Sequence, residues 1–290
     1  MKELPFNGSR LLLVDALNIA YRAFYAIVGL TTANGQPTNA IYGFIKTLMR
    51  CEREWNPTHC LVVFDGGTPV ERLNLLPTYK AQRPAMPDAL YEQLKPMEAY
   101  LDCSAIANLR IEGQEADDVI ASVAAQAEDN GMEVLVMSGD KDFMQIVDEN
   151  VSIISPGKRA DKIGPAQVFE KTGVKPDQIV DWLALTGDTS DNIPGVPGVG
   201  IKTSARWLAE YGSVETILAH LQELKPEKLR QAIIEHKEKV IRNIRIIRLR
   251  RDFHCLNSLD EVKCRTPDYR RLLRFFNEME FKSLAEDLRK

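Results

Sequence analysis

Short apolar runs alternate with amphipathic stretches along the first half of the chain. The runs have the length of buried strands, and the stretches between them place apolar residues at helical spacing. This alternation favours a mostly parallel, doubly wound sheet. The predicted strands are Arg10–Asp15, Cys60–Asp65, Ser104–Arg110, Glu133–Ser138 and Val151–Ile154, and the predicted helices are Ala16–Ile27, Asn39–Glu54, Ala116–Asp129 and Lys141–Val147. The sequence therefore predicts an α/β fold with a mostly parallel central sheet flanked by helices.

Two segments break this pattern. Residues 66–95 are rich in Pro, Arg and Lys and contain no clear strand. A connection of that length in a compact domain is usually functional or disordered. From residue 163 onward the pattern becomes helical and the strands stop. We therefore expect an α/β domain over residues 1–162 and a helical region over residues 163–290, with the boundary at residues 156–164.

Acidic residues stand at the ends of the predicted strands and at the starts of helices and turns. The nine of them are Asp15, Asp65, Glu115, Asp117, Asp118, Asp140, Asp142, Asp188 and Asp191. The ligand crevice of a doubly wound sheet lies beyond the carboxyl ends of its strands. Carboxylates gathered there repel one another unless cations bind among them, so this arrangement predicts a divalent-metal site.

Each acid taken alone also has a simpler interpretation. Asp15 and Asp140 could cap the helices that follow them, because Asp accepts hydrogen bonds from free helix N–H groups. Glu115 and Asp118 are three residues apart, as are Asp188 and Asp191, and paired surface acids are common. The joint placement of all nine, rather than any one of them, favours metal binding.

Composition adds a few limits. The chain has 290 residues, a formal net charge of −4 and five cysteines without CxxC spacing. Neither a disulfide framework nor a zinc knuckle is indicated, and a reducing cytoplasm is the expected location. We find no secretory leader and no apolar run of membrane-spanning length, so no membrane partner is expected. The negative net charge does not exclude nucleic acid, because the acids and the basic residues gather in different places.

Two further segments could bind phosphate groups. Residues 195–200 form a Gly-rich turn, which favours close backbone approach to a ligand and exposed amides at the following helix. The P-loop spacing is absent. Residues 237–251 are basic on one helical face and apolar on the other. A solvated helix face and contact with a DNA duplex both remain open for that stretch, and its position after the Gly-rich turn favours DNA.

Six strings of the sequence carry a family resemblance. They are LLLVDALNIAYRAF, LVVFDGG, YKAQRP, GQEADDVIA, SGDKDFMQ and TGDTSDNIPGVPGVGIKTSARWL. Together and in this order they resemble the 5′-to-3′ exonuclease or flap endonuclease family, which includes the N-terminal nuclease domain of bacterial DNA polymerase I and related phage and stand-alone enzymes. The resemblance runs from about Arg10 to Leu288 and implies a PIN-like nuclease fold. Because no polymerase segment follows Lys290, the stand-alone form is expected.

The resemblance also implies roles for the acids. Asp15, Asp65, Glu115, Asp117 and Asp118 match positions that bind a first divalent metal, with Asp117 the weakest candidate for a direct ligand. Asp140 and Asp142 match the metal-binding pattern, and Asp188 and Asp191 match acids near a second metal. Oxygen ligands suit Mg²⁺ or Mn²⁺. With two ions activating water, no Ser, Cys or His nucleophile is required.

The resemblance implies a helical arch or clamp near residues 66–98, beneath which a 5′ single strand passes. Lys80, Arg83 and Arg22 match basic residues that reach the scissile phosphate. Gln82 departs from the small residue or Asn expected at its position. Tyr21 and Tyr79 could stack on terminal bases, although buried packing is equally compatible with Tyr21.

A helix-three-turn-helix element near residues 186–210 is implied for the Gly-rich turn. It grips the duplex backbone without reading bases, and a potassium ion can bridge such a turn to a phosphate. The matching residues are Gly195, Val196, Gly198, Val199, Gly200, Lys202 and Thr203.

The resulting expectation is a structure-specific 5′ nuclease with two metal ions. Its expected substrates are DNA with a 5′ flap, nick or end and RNA–DNA primer junctions, in replication and repair. A monomer at the bacterial nucleoid, beside a DNA polymerase and a ligase, is the family-based expectation. Two alternatives remain open, namely a non-catalytic junction-binding protein and a small-molecule phosphohydrolase. The DxD pattern of Asp-dependent phosphohydrolases is absent at Asp15, since Leu17 lies two residues on.

Overall fold

The chain folds around one six-stranded sheet with the order β3-β2-β1-β4-β5-β6. The computed structural model describes residues 8–157 and 161–289. Neighbouring strands are parallel except for β6, which is antiparallel to β5. The strands are β1 (Arg10–Asp15), β2 (His59–Phe64), β3 (Ala107–Arg110), β4 (Glu133–Met137), β5 (Val151–Ile154) and β6 (Lys162–Ile163). The predicted α/β fold with a mostly parallel sheet is confirmed.

The helices cover both faces of the sheet. Those of the first half are α1 (Ala16–Ala26), α2 (Asn39–Trp55), α3 (Val70–Leu75), α4 (Asp88–Tyr91), α5 (Leu94–Cys103) and α6 (Ala116–Glu128). Those of the second half are α7 (Pro165–Thr172), α8 (Ile179–Thr186), α9 (Ile201–Tyr211), α10 (Val214–Ala219), α11 (Glu227–Glu235), α12 (Lys237–Ile247), α13 (Tyr269–Glu278) and α14 (Lys282–Asp287). Short 3-10 helices occupy Lys141–Ile146, Pro176–Gln178, Leu221–Glu223 and Leu259–Val262. None of the described helices combines the length and apolar character needed to cross a membrane.

Three predicted elements differ in the structure. The strand predicted from Ser104 begins only at Ala107, because the end of α5 turns through Ala105, whose φ is 55°. The helix predicted over residues 141–147 is a 3-10 helix. A two-stranded antiparallel hairpin, β7 (Gly187–Asp188) and β8 (Ile193–Pro194), lies in the region predicted to lack strands. These elements are short, and periodicity needs longer segments to distinguish them.

Two apolar cores lie on opposite faces of the sheet. One packs Leu11 and Leu13 of β1 against α6 and the helices α7 to α12. The other packs Leu12 and Val14 against α1, α2, α5, α13 and α14. The last two helices therefore return to the sheet, with Phe276 of α13 stacked on Tyr100 of α5. The boundary predicted at residues 156–164 stays a prediction, and residues 158–160 within it lie outside the described part of the chain.

One acidic side chain lies on the sheet face that α1, α2, α5, α13 and α14 cover. Glu52 of α2 is largely buried, and burial raises its pKa from 4.5 to about 7. A cavity of about 320 Å³ beside it is lined by Cys60, Tyr100 and Ser104. Burial without a cationic partner favours the protonated carboxyl. This one acid therefore makes folding stability dependent on pH.

We expect stability to fall as the pH rises from about 4.5 to about 7, because the folded state holds the Glu52 proton over that window and the unfolded state does not. Glu52→Gln should remove the Glu52 contribution to this dependence, while Asp15 and Glu128, whose pKa values burial also raises, keep theirs. At pH 8 it should raise the free energy of unfolding by about 1–3 kcal/mol, given about 1.4 kcal/mol for each pKa unit. Urea unfolding at pH 5 and pH 8 measures it. A variant no more stable than the wild type at pH 8 would contradict this assignment.

Candidate active site

The acids at the strand ends meet in one crevice. Asp15 ends β1, Asp65 follows β2, and Asp140 lies three residues after β4. Since β1 pairs in parallel with both β2 and β4, these three carboxyl ends are neighbours. Burial raises the pKa of Asp15 to about 6, and repulsion from Asp140 and Asp65 adds to the effect. The strand order therefore produces the crowding of charge that the sequence predicted.

Local hydrogen bonds hold Asp15 in place. One of its oxygens accepts from the backbone N of Asn18 at 3.1 Å, and the other accepts from Ser138 Oγ at 2.9 Å. Asp15 is the N-terminal cap of α1, so the capping interpretation is confirmed. Capping uses one lone pair and does not remove the residue from the acidic crevice.

A close backbone approach brings Asp65 beside the start of α6. Gly66 donates its N–H to the Gln114 carbonyl at 2.9 Å and accepts from the Gly113 N–H at 2.8 Å. A Cβ at position 66 would lie 1.9 Å from the Ile111 carbonyl oxygen, so only glycine fits. Burial raises the pKa of Asp65, and the neighbouring Glu115 raises it further.

The two acids of α6 point in different directions. Asp117 is within the crevice, where burial and repulsion from Asp15 and Asp140 raise its pKa well above the ordinary value. Asp118 accepts from Arg72 at 2.6 and 2.9 Å and from the backbone N of Arg250 at 2.8 Å. Successive helical residues lie about 100° apart, so both cannot face one metal. Asp117 thus lies among the crevice acids, whereas both oxygens of Asp118 accept hydrogen bonds from Arg72 or the Arg250 backbone, and which of the two binds metal stays a prediction.

Asp140 and Asp142 form a tight turn after β4. Asp140 Oδ1 accepts from the Asp142 N–H at 3.0 Å and caps the 3-10 helix. Asp142 Oδ1 is buried and has no hydrogen-bond partner within the described residues. Burial and repulsion from Asp140, Asp191 and Asp188 raise the pKa of Asp142 well above its ordinary value. This carboxylate lacks the partner that a buried charge requires.

The hairpin β7–β8 supplies the last two acids. Asp188 accepts from Ser190 Oγ at 2.5 Å and from Lys141 Nζ at 2.9 Å. Although burial opposes it, these hydrogen bonds lower the pKa of Asp188 below its ordinary value. Asp191 accepts from Arg83 at 2.6 Å and from the Tyr79 hydroxyl at 3.0 Å. Lys141 was not predicted, although its position between Asp140 and Asp142 in sequence was the available signal.

The predicted basic loop docks on this hairpin. Lys80 Nζ lies 2.5 Å from Glu115 Oε1 and 3.7 Å from Asp191. The backbone N of Lys80 donates to the Asp191 carbonyl at 3.0 Å, and Lys80 has a left-handed φ of 55°. Gln82 donates to the Thr189 carbonyl at 2.6 Å, so the departure at this position is accommodated by a direct hydrogen bond. Lys80 and Arg83 therefore lie at the acids, and their predicted contact with the scissile phosphate stays a prediction.

Tyr79, Tyr21 and Arg22 lie in three different environments. Tyr79 is 5% exposed, and its hydroxyl bonds Glu115 and Asp191. The stacking role expected of Tyr79 does not match this arrangement, because neither ring face is free for a base. Tyr21 is partly exposed, stacks on Tyr25 with ring centroids 6.4 Å apart, and interacts electrostatically with Arg83. Arg22 is exposed on α1 and forms no salt bridge within residues 8–157 or 161–289.

Arg72 is the site residue that the sequence did not reveal. This buried side chain of α3 bonds Glu115 and Asp118 of α6 and donates to the Ile246 carbonyl at 2.8 Å. It thereby joins α3, the start of α6 and the end of α12. The helix α3 has six residues, too few for periodicity to mark one of them as buried.

The Gly-rich turn connects β8 to α9. A Cβ at Gly195 would lie 2.3 Å from the Thr186 carbonyl group, so this backbone crossing requires glycine. Val196 and Val199 are 4% and 5% exposed and anchor the turn in the core. Gly198, Gly200 and Lys202 are exposed, Thr203 is partly exposed, and no side chain caps α9 at Gly200. The predicted set thus divides into packing residues and a surface that offers backbone amides and Lys202.

The basic stretch divides in a similar way. Arg251 pairs with Glu128, and Arg250 pairs with Asp252 at 3.0 Å. Asn243, buried on the other face, donates to the Ala184 and Pro194 carbonyls at 3.1 and 2.9 Å. The residues Arg245 and Arg248 stay exposed. The predicted division into a packed face and a basic face therefore holds for α12.

The donor set suits a hard divalent cation. All the acids of the crevice offer oxygen ligands. Burial, and after it mutual repulsion, raises the pKa values of Asp117 and Asp142, and Asp142 Oδ1 has no partner within the described residues. Within the described residues no three of the His, Cys, Asp and Glu side chains converge closely enough to hold a metal ion. Several acids instead contact cationic side chains, namely Arg72, Lys80, Arg83 and Lys141. Metal binding would therefore require side-chain rotation within the crevice.

Arg72→Ala should lower the free energy of unfolding by about 3–5 kcal/mol, because it leaves the buried Asp118 without a cation and Glu115 with Lys80 alone. Guanidinium unfolding at constant ionic strength measures the effect. Arg110→Ala is the control, since its ion pair with Glu98 at 2.9 Å is exposed and is worth about 1 kcal/mol or less. Equal losses for the two variants would show that Arg72 does not hold these elements together.

Comparison with known proteins gives a consistent result. The sequence model of the 5′-3′ exonuclease N-terminal resolvase-like domain matches residues 10–173, and that of the 5′-3′ exonuclease C-terminal SAM fold matches residues 174–270. The chain is 41% identical over 285 residues to the thermostable DNA polymerase I of Thermus filiformis, covering 98% of this chain and 34% of that polymerase. The DNA polymerase I of Bacillus caldotenax is 39% identical over 282 residues. The chain thus spans about a third of the length of these curated relatives.

Solved structures share the fold. The bacteriophage T5 5′-exonuclease with bound zinc superposes with a TM-score of 0.69 at 25% identity, over 94% of this chain and 98% of that one. The catalytic core of Rad2 in complex with a DNA substrate gives a TM-score of 0.65 at 15% identity, over 97% and 91% of the two chains. The residues that the two sequence models match, 10–173 and 174–270, include the acidic crevice, the basic loop and the Gly-rich turn. The chain belongs to the 5′-3′ exonuclease family, a family of divalent-metal-dependent nucleases.

Proposed function

We propose that this protein is a structure-specific 5′ nuclease that cleaves DNA near 5′ ends and flap junctions. The observation that carries the proposal is the convergence of three chain segments on one crevice. The strand ends supply acids, the loop at residues 78–83 supplies Lys80 and Arg83, and the β7–β8 hairpin supplies Asp188 and Asp191. Membership of a nuclease family supports this interpretation.

In the proposed reaction, water attacks a phosphodiester within the crevice. Two Mg²⁺ or Mn²⁺ ions, when bound, supply activation of the water and neutralisation of the attacking and leaving oxygens. Asp15, Asp65, Asp117, Asp140 and Asp142 are the side chains that would hold them with Glu115 and the hairpin acids. Buried carboxylates suit this role, because little solvent has to rearrange around them once their side chains have turned toward the ions.

Lys80 and Arg83 would hold the scissile phosphate. Their present partners, Glu115 and Asp191, keep both cations at the crevice before substrate arrives. A phosphate group entering there accepts the hydrogen bonds that these side chains donate, and the cations stabilise the charge that develops on its oxygens. Arg22 and Tyr21 lie on the neighbouring helix α1 and would contact the adjoining nucleotides.

The Gly-rich turn would hold the duplex beside the flap. Its exposed residues Gly198, Gly200 and Lys202 surround the uncapped N-terminus of α9, where backbone amides and the helix dipole favour a phosphate. Such contacts fix position without reading bases. We include a potassium ion at this turn as part of the proposal. Because the proposed contacts are made to phosphate groups, affinity for duplex DNA should decrease steeply as the salt concentration rises.

The wider role is proposed on the same basis. RNA–DNA primer junctions, nicks and flaps from replication and repair are the proposed substrates, with a DNA polymerase and a ligase acting beside a monomeric enzyme. The matched relatives are DNA polymerases I, which supports a link to synthesis on the same strand. The five free thiols suit a reducing compartment, and a cytoplasmic enzyme at the nucleoid is part of the proposal.

Asp140→Asn tests the catalytic assignment. Burial and the neighbouring acids Asp191 and Asp188 raise the Asp140 pKa, and asparagine keeps the capping oxygen while removing the charge. Cleavage of a labelled 5′-flap duplex with Mg²⁺ should fall by about 100-fold or more. Affinity for the same flap in EDTA should be equal or higher, because one repulsive charge is gone. Asp129→Asn is the matched control, because Asp129 is an exposed acid at the C-terminal end of α6.

The two alternatives predict different results with the wild-type protein. A protein that binds the flap duplex but cleaves nothing with Mg²⁺ or Mn²⁺ would be a junction-binding protein rather than a nuclease. Turnover of a generic phosphomonoester without cleavage of DNA would indicate a small-molecule phosphohydrolase. An EDTA control separates metal-dependent cleavage from contaminating activity.

A further inference from the structure

A cleft of about 700 Å³ opens beside the acidic crevice, between α3, the loop before α6 and the end of α12. Its lining includes Val70, Arg72, Gln114, Arg245 and Arg248. Asp118, one of the nine acids, lines this cleft beside its partner Arg72, and the Gly-rich turn contributes no residue to it. The cleft therefore adjoins the acidic crevice but does not include Lys80, Arg83 or Asp15.

The cleft has free positive charge. Arg245 and Arg248 form no salt bridge and no side-chain hydrogen bond within residues 8–157 and 161–289, and both are exposed. The charges of Arg72 and Arg250 are offset by Asp118 and Asp252 respectively.

The remaining acid of the lining is Glu71, which is exposed on α3. Two unpaired guanidinium groups thus face one carboxylate, and this balance favours an anionic ligand. Guanidinium groups also match phosphate oxygens in geometry.

One carboxylate separates the cleft from the crevice. Glu115 Oε1 accepts from Lys80, which belongs to the crevice, at 2.5 Å. Its other oxygen bonds Arg72, which lines the cleft. Glu115 therefore contacts both sites, and the cleft that holds Arg245 and Arg248 adjoins the crevice at Lys80.

The size and walls of the cleft favour single-stranded nucleic acid. Its volume is that of pockets that enclose one small organic molecule, so it admits individual nucleotides and excludes a duplex. Val70, 69% exposed, offers an apolar surface beside the arginines. Charged grooves with apolar or aromatic contacts to bases are typical of single-strand binding. We propose that this cleft binds the single-stranded 5′ flap beyond the scissile phosphate, an inference that rests on the proposed nuclease function.

The Arg245→Ala/Arg248→Ala double variant tests this inference. Two substrates share the same duplex and differ only in the length of the 5′ flap. One flap is a single nucleotide, and the other is roughly ten nucleotides, a length within the range of single-strand binding sites. Affinities are measured by fluorescence anisotropy in EDTA over a range of salt. For the long flap, affinity should fall and the slope of log affinity against log salt should decrease by about 1.4, at about 0.7 for each phosphate contact. The affinity and Mg²⁺-dependent cleavage of the short flap should not change.

Arg270→Ala/Arg274→Ala on α13 is the control, because it removes the same charge from exposed positions near the opposite face of the sheet. Equal loss of affinity for both flaps would assign the arginines to the duplex and overturn the proposal, as would an unchanged affinity for the long flap. If the alanine pair lowers thermal stability, Arg245→Gln/Arg248→Gln replaces it and is interpreted in the same way. Failure of the wild-type protein to cleave the short flap would instead overturn the proposed function.

Discussion

Repulsion among buried carboxylates is the constraint on which the rest of the structure depends. Parallel pairing of β1 with β2 and β4 brings their acids to one edge of the sheet, where burial removes the water that would screen them. The raised pKa values of Asp15, Asp117 and Asp142 express that cost. A cluster of this kind is stable only when cationic groups come to it from other parts of the chain.

Those cations organise the molecule around the site. Arg72 comes from α3, Lys80 and Arg83 from the loop that follows it, and Lys141 from the turn after β4. Through Arg72 and Asp118, α3 and α6 are also bonded to the backbone at and just after the end of α12. The acids thus connect segments that are far apart in sequence. The same contacts place basic groups where a phosphate would enter, so stability and substrate binding depend on one set of charges.

The predictable part of the fold consists of long, repetitive patterns. Buried parallel strands are continuous apolar runs, and α1, α2 and α6 show clear helical spacing, so their positions could be predicted to within a few residues. The 3-10 helix at residues 141–146 and the hairpin of Asp188 could not, because two to six residues show no period. At the site, the motifs indicated the candidate acids and basic residues, but not that Lys80 and Arg83 pair with Glu115 and Asp191.

The sequence by itself determined the fold class, the position of acids at strand ends and helix starts, and the identity of the family, because these depend on local patterns and on motif order. Only the tertiary structure decided which way each side chain points. It separated Asp117 from its neighbour Asp118, turned Tyr79 inward and buried Arg72 between two acids. These choices depend on contacts between segments more than 30 residues apart, where packing and the demand for a partner to each buried charge outweigh any local preference.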